Sequence, residues 1–122
     1  MRSIIYIFGN IDLSGDSLPL RILPELEEKF PEILFEIKDP NEEWTAPENL
    51  TIIDTVSGIK EVMVFDDLEK FSAAPRVGMH DFDALTNLRY LQKLGKIKSI
   101  KIIGLPLDMD ESKAIQEISK LL

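Results

Sequence analysis

The first apolar run, Ser3 to Phe8, is β-branched and aromatic without alternating polar residues, the pattern of a central strand covered on both faces. From Asp16 to Phe30 the period changes. Leu18, Ile22, Leu26 and Phe30 recur every four residues with Glu25, Glu27 and Glu28 opposite, which predicts an amphipathic helix. Pro24 falls inside it, and an interior proline removes a hydrogen bond at a cost of ~3 kcal/mol, so a kink or restart is expected near Leu23. Ile33 to Ile37 reads as a second strand ending at Lys38-Asp39-Pro40. Asn41 to Asn49 lacks a clear period and reads as a loop or a single helical turn.

Leu50 to Val56 is a third strand carrying Asp54 near its end, and Glu61 to Phe65 a fourth. Only Ser57-Gly58-Ile59-Lys60 separates them, too little for a parallel crossover, so the two are expected to pair as an antiparallel hairpin. After Asp81, Leu85, Leu88, Leu91 and Leu94 predict a helix closed by Gly95. Ser99 to Ile103 is a fifth strand ending in Gly104-Leu105-Pro106. Asp110 to Leu122 forms a last helix, with Ile115, Ile118, Leu121 and Leu122 on one face and Asp110 and Glu111 at its positive end.

These elements define an α/β fold: a mostly parallel five-stranded mixed sheet with one antiparallel strand and helices on both faces, three layers in all. The 122 residues make one domain, 1–122. Ligands of such sheets bind beyond the carboxyl ends of the parallel strands.

Composition narrows the chemistry. A net charge of -8 and a pI near 4.6 repel a polyphosphate backbone and an acidic membrane surface, so neither nucleic acid nor membrane is an expected partner. The absence of cysteine excludes disulfides, a thiolate nucleophile and a zinc-thiolate site. Ile4 to Phe8 is too short for a signal peptide's apolar region, and the expected compartment is the cytoplasm.

The strand-loop-helix segment "YIFGNIDLSGDSLPLRI" has the outline of a phosphate cradle, yet Asp16 stands where that motif needs lysine. A carboxylate there repels phosphate and favours a cation. Its structural alternative is a helix N-cap. Asp54 interrupts the apolar run "TIIDTV", where an isolated carboxylate is costly, and its alternative is a turn residue. His80, the single histidine, precedes the helix beginning at Asp81. Two carboxylates and an imidazole brought together would make an open site for a divalent metal such as nickel or zinc, or a base with its orienting partner.

"FGNIDLSGDSLPLRI", "LTIIDTV" and "GMHDFDALTNLRYLQKLG...IKIIGLP", taken in order, resemble the hydrogenase maturation endopeptidases, which trim the C-terminal tail of the large subunit of nickel-iron hydrogenases. The resemblance implies a phosphorylase/hydrolase-like fold and a peptidase with no catalytic cysteine or serine. It implies that Asp16, Asp54 and His80 are the catalytic and metal-facing residues. The metal would be nickel carried by the precursor rather than a permanent cofactor, with zinc or cadmium as substitutes. The implied partner is the large-subunit precursor; for the chain's own state the sequence leaves monomer and dimer open, the monomer being the favoured one. Asp39 stands in the turn that borders the family's substrate cleft, and Trp44 in "WTAPENL" can line a groove for an extended peptide or cap the core.

Two other readings compete. A non-catalytic scaffold of the same fold would bind a metal or partner and cut nothing. A receiver-type phosphoacceptor would share the acid at the end of strand three, Asp54, and one after strand one, Asp12 or Asp16, but it needs a lysine where "IIGLP" stands and a parallel fourth strand.

Overall fold

Five strands hydrogen-bond into one sheet: β1 (Ser3–Ile7), β2 (Ile33–Ile37), β3 (Asn49–Thr55), β4 (Met63–Phe65) and β5 (Ser99–Leu105), in the spatial order β2-β1-β3-β5-β4. Among the described residues, helices α1 (Leu18–Lys29) and α2 (Glu111–Ser119) pack on it. The computed structural model describes residues 3–9, 17–38, 47–56, 58–66 and 92–122. The β1·β2, β1·β3 and β3·β5 pairs are parallel and β4·β5 is antiparallel, which is the mixed sheet expected from the pattern.

One pairing differs from expectation. β4 bonds to β5, not to β3, so the two strands do not form a hairpin. β3 and β5 pair along their full seven residues, a longer and more apolar contact than a three-residue strand can offer β3. Because β4 is shorter than its apolar run suggests, residues 56–62 are left to span the gap. At ~3.3 Å per residue they reach about 20 Å, twice the roughly 10 Å needed to step over one intervening strand.

Alternation along the strands gives the sheet two apolar faces. Ile5, Ile7, Phe35, Ile53, Ile103 and Leu105 lie under both described helices. Tyr6, Phe8, Leu50, Ile52, Ile100 and Ile102 gather on the opposite face with Val56, Phe65 and Ile97. The helix expected from Asp81 onward lies outside the described residues except at its end, where Gly95 adopts φ 75° and donates its N–H to the Gln92 carbonyl at 3.0 Å. That left-handed turn is the predicted stop.

The N-cap of α1 is Ser17, whose carbonyl accepts the N–H groups of Leu20 and Arg21 at 3.0 Å, and Pro19 occupies the first turn. The cap position therefore belongs to the residue after Asp16. α1 runs unbroken through Pro24, so the restart near Leu23 does not occur. Pro24 is on the exposed side, where water can serve the carbonyl one turn back, while Leu18, Ile22, Leu23 and Leu26 are buried beneath. α2 starts one residue later than its apolar pattern, because Asp110 is its N-cap and accepts the Lys113 N–H at 3.2 Å.

Candidate functional site

The chain places β2 on one side of β1 and β3 on the other, so strand order reverses between β1 and β3. A crevice beyond the carboxyl ends at such a reversal is where open α/β sheets bind ligands. At that end the Phe8 N–H is donated to the Ile53 carbonyl at 3.0 Å. Asp54 comes next on β3, opposite Gly104 of β5. It shares the face of Leu50 and Ile52 by alternation, and only 1% of it is exposed.

Its Oδ1 accepts the Thr55 backbone N–H at 2.8 Å, which orients the carboxylate. Thr55 is itself buried. An ionised carboxylate in such a place is an oxygen donor for a divalent cation or a base for a water molecule. Sequence reading found Asp54 as an acid inside an apolar run. It assigned no role to Thr55, whose signal was the polar pair closing that run, nor to Gly104, whose role arises only from cross-strand register.

Gly104 is constrained by its neighbours. A Cβ added to it would lie 2.8 Å from Val56 Cγ2 and 3.0 Å from Phe65 Cε2. These two side chains thus close over the strand beside Asp54. Farther along the same rim, residues 58–60 and 106–110 enclose a cavity of about 370 Å³ with Lys113 at its edge. A larger cleft of about 710 Å³ opens at the other end of the sheet, by Ser3, Thr51 and Lys101, away from Asp54.

Of the residues singled out in the sequence for the site, Asp54 is the one that the described structure places at the carboxyl end of a strand. Asp16, Asp39, Trp44 and His80 lie outside the described residues. Among the described residues no three histidine, cysteine or acidic side chains form a metal-holding group. Among them, too, no helix is long and apolar enough to cross a membrane.

No family model and no curated protein sequence matches the chain. Solved structures do. The hydrogenase maturating endopeptidase HybD from E. coli superposes with a TM-score of 0.70 at 19% identity, over 100% of this chain and 90% of that one. The solution structure of an endopeptidase from Escherichia coli gives 0.68 at 18%, over 100% and 90%. An uncharacterized protein from Wolinella succinogenes gives 0.61 at 17%, over 99% and 96%. The chain has the HybD-like α/β fold. The antiparallel β4 rules out the all-parallel sheet of a receiver domain.

Proposed function

We propose that this chain is an endopeptidase that removes the C-terminal extension of a nickel-loaded large-subunit precursor of a nickel-iron hydrogenase. The observation that carries the reading is a buried carboxylate, Asp54, at the carboxyl end of β3 beside the strand-order reversal, in a fold shared with a hydrogenase maturating endopeptidase. The family resemblance around Asp16, Asp54 and His80 supports it from the sequence side.

In this reading the nickel arrives with the substrate and no metal is permanently bound. Asp16, Asp54 and His80 supply two carboxylates and an imidazole to the incoming ion, a donor set that suits borderline divalent metals. The ion marks and polarises the scissile carbonyl, and one of the two carboxylates takes a proton from the attacking water. Asp39 and Trp44 contact the substrate polypeptide. The enzyme works in the cytoplasm as a monomer.

The test is incubation of the chain with nickel-loaded precursor and weighing of the product by mass spectrometry. The intact chain is expected to release the tail, and Asp16→Asn, Asp54→Asn and His80→Ala to leave it attached. Precursor left whole by the unmodified chain under every condition would favour the scaffold reading. Cleavage unimpaired in all three variants would show that the site is elsewhere.

A further inference from the structure

Charge is unevenly shared along the chain. Residues 84–107 hold Arg89, Lys93, Lys96, Lys98 and Lys101 and no acid, in a protein whose net charge is -8. Lys93, Lys96 and Lys98 are exposed around the Gly95 turn that leads into β5, and Lys101 is half-buried on β5 itself. Glu48 pairs with Lys98 at 3.5 Å, with side chains 65% and 67% exposed, and an ion pair so wet holds neither partner firmly.

This basic stretch borders the cleft of about 710 Å³ at the amino end of the sheet. Ile5, Thr51 and Lys101 are register partners across β1, β3 and β5, so they form one row on the face that carries the helices, and all three line the cleft. Ile33 and Leu121 add apolar walls. The Lys101 ammonium donates to the Leu121 carbonyl at 3.2 Å, which among the described residues uses one of its three N–H groups. The backbone pins Lys98 to the rim: its N–H and that of Ser99 donate to the carbonyl of Glu48, a lining residue, at 2.7 and 3.0 Å. The cleft is thus cationic over β5 and apolar toward β1 and β2, where Glu32, next to Ile33, carries the opposite charge.

An occupant has to suit both halves. A purely apolar one leaves the ammonium without an anion. A nucleic acid carries a charge about every 1.7 Å of its axis and runs far past the patch onto a protein of net charge -8. A second copy would offer an acidic surface from elsewhere on itself, a head-to-tail contact that leaves the next patch open and builds chains instead of a closed dimer. A short extended polypeptide, with carboxylates at one end and an apolar side chain at the other, meets the lysines over β5 and ends within the cleft.

We propose that the amino-end cleft docks an acidic segment of a partner protein, its carboxylates on Lys98 and Lys101 and an apolar side chain between Ile5 and Ile33. Lys93 and Lys96 add an attraction that salt screens over about 8 Å. Asp54 is at the other end of the sheet, so a docked partner leaves the carboxyl-end crevice clear. The surface is independent of whether the chain cuts a hydrogenase precursor.

The probe is a capped synthetic peptide of two leucines followed by three glutamates, with a control carrying lysines in place of the glutamates. Backbone amide shifts of the full chain are followed by NMR during titration. The glutamate peptide should perturb Ile5, Thr51 and Lys101 first, salt should weaken it, and the lysine peptide should not bind. Lys101→Met, which keeps the stem and removes the charge, should weaken binding by about tenfold. Lys98→Glu, at an exposed position, should weaken it too and carries the test if Lys101→Met does not fold by circular dichroism.

Perturbations centred near Asp54, equal binding of both peptides, no binding of either, or unchanged affinity in the variants that fold would overturn the proposal. So would tighter binding of a single-stranded oligonucleotide or of phosphatidylserine vesicles at the same residues, or self-association in sedimentation that Lys98→Glu abolishes.

Discussion

Asp54 of β3 and Gly104 of β5 are register partners in the parallel ladder, the one a buried carboxylate and the other a position where a Cβ would meet Val56 Cγ2 at 2.8 Å. The acid and the space beside it are thus set by the same pair of strands. Gly104→Ala should force the fully buried Val56 or the Phe65 ring to move. Overpacking of this kind costs about 1–3 kcal/mol, to be read as a lower urea midpoint with the slope unchanged.

Asp54→Asn separates charge from shape. The amide keeps the volume and can still accept the Thr55 N–H, so the variant should fold. If Asp54 serves as base or ligand, tail removal should fall about a hundredfold or more. Mass spectrometry of the precursor and a denaturation curve on the same sample check both halves.

Tyr6 makes stability depend on alkaline pH. Burial pushes its hydroxyl pKa up from 10.0, against a smaller downward pull from the Lys38 ammonium, with Glu36 adding to the rise. The unfolded chain therefore loses this proton first. The contribution is fully present below 10.0 and is lost as pH climbs through the raised folded value. Tyr6→Phe should lack that loss. Urea midpoints of the two proteins should converge, or cross in favour of the variant, as the pH rises above 10.0.

Pro24 leaves α1 continuous but without one of its internal hydrogen bonds. On the exposed side an alanine restores the donor without disturbing packing, so Pro24→Ala should stabilise the protein by about 1 kcal/mol or more. A higher melting temperature, with an unchanged fold by circular dichroism, is the expected result.

The strands were legible because β-branched runs such as Ile4-Ile5-Tyr6-Ile7 and Ile100-Lys101-Ile102-Ile103 announce a buried sheet wherever they fall. Strand neighbours were not. The short spacer after Val56 correctly implied a reversal of direction, yet nothing in a spacer says whether the returning strand lands beside its predecessor or one place farther on. Pro24 misled because local propensity was weighed without knowing that its side of α1 would be wet. At the site, Asp54 stood out as an acid in apolar company, whereas Thr55 and Gly104 acquire their roles only when β3 and β5 are brought into register. Asp16, Asp39, Trp44 and His80 fall outside the described residues, and for them the sequence is the whole of the argument.

The strap of residues 56–62 that steps over β5 has a consequence for how the chain is made. β4 leaves the ribosome before the strand it must pair with, and β3 leaves with β1 already made but its other partner, β5, still unsynthesised. Until residue 105 emerges, the strand nearest in sequence to the open edge of β3 is β4, and any hairpin between them would have to be undone before the native sheet could close. A nascent chain stalled short of β5 would lack the strand that separates β3 from β4, so the emergence of residues 99–105 sets the earliest moment at which the five-stranded sheet can close.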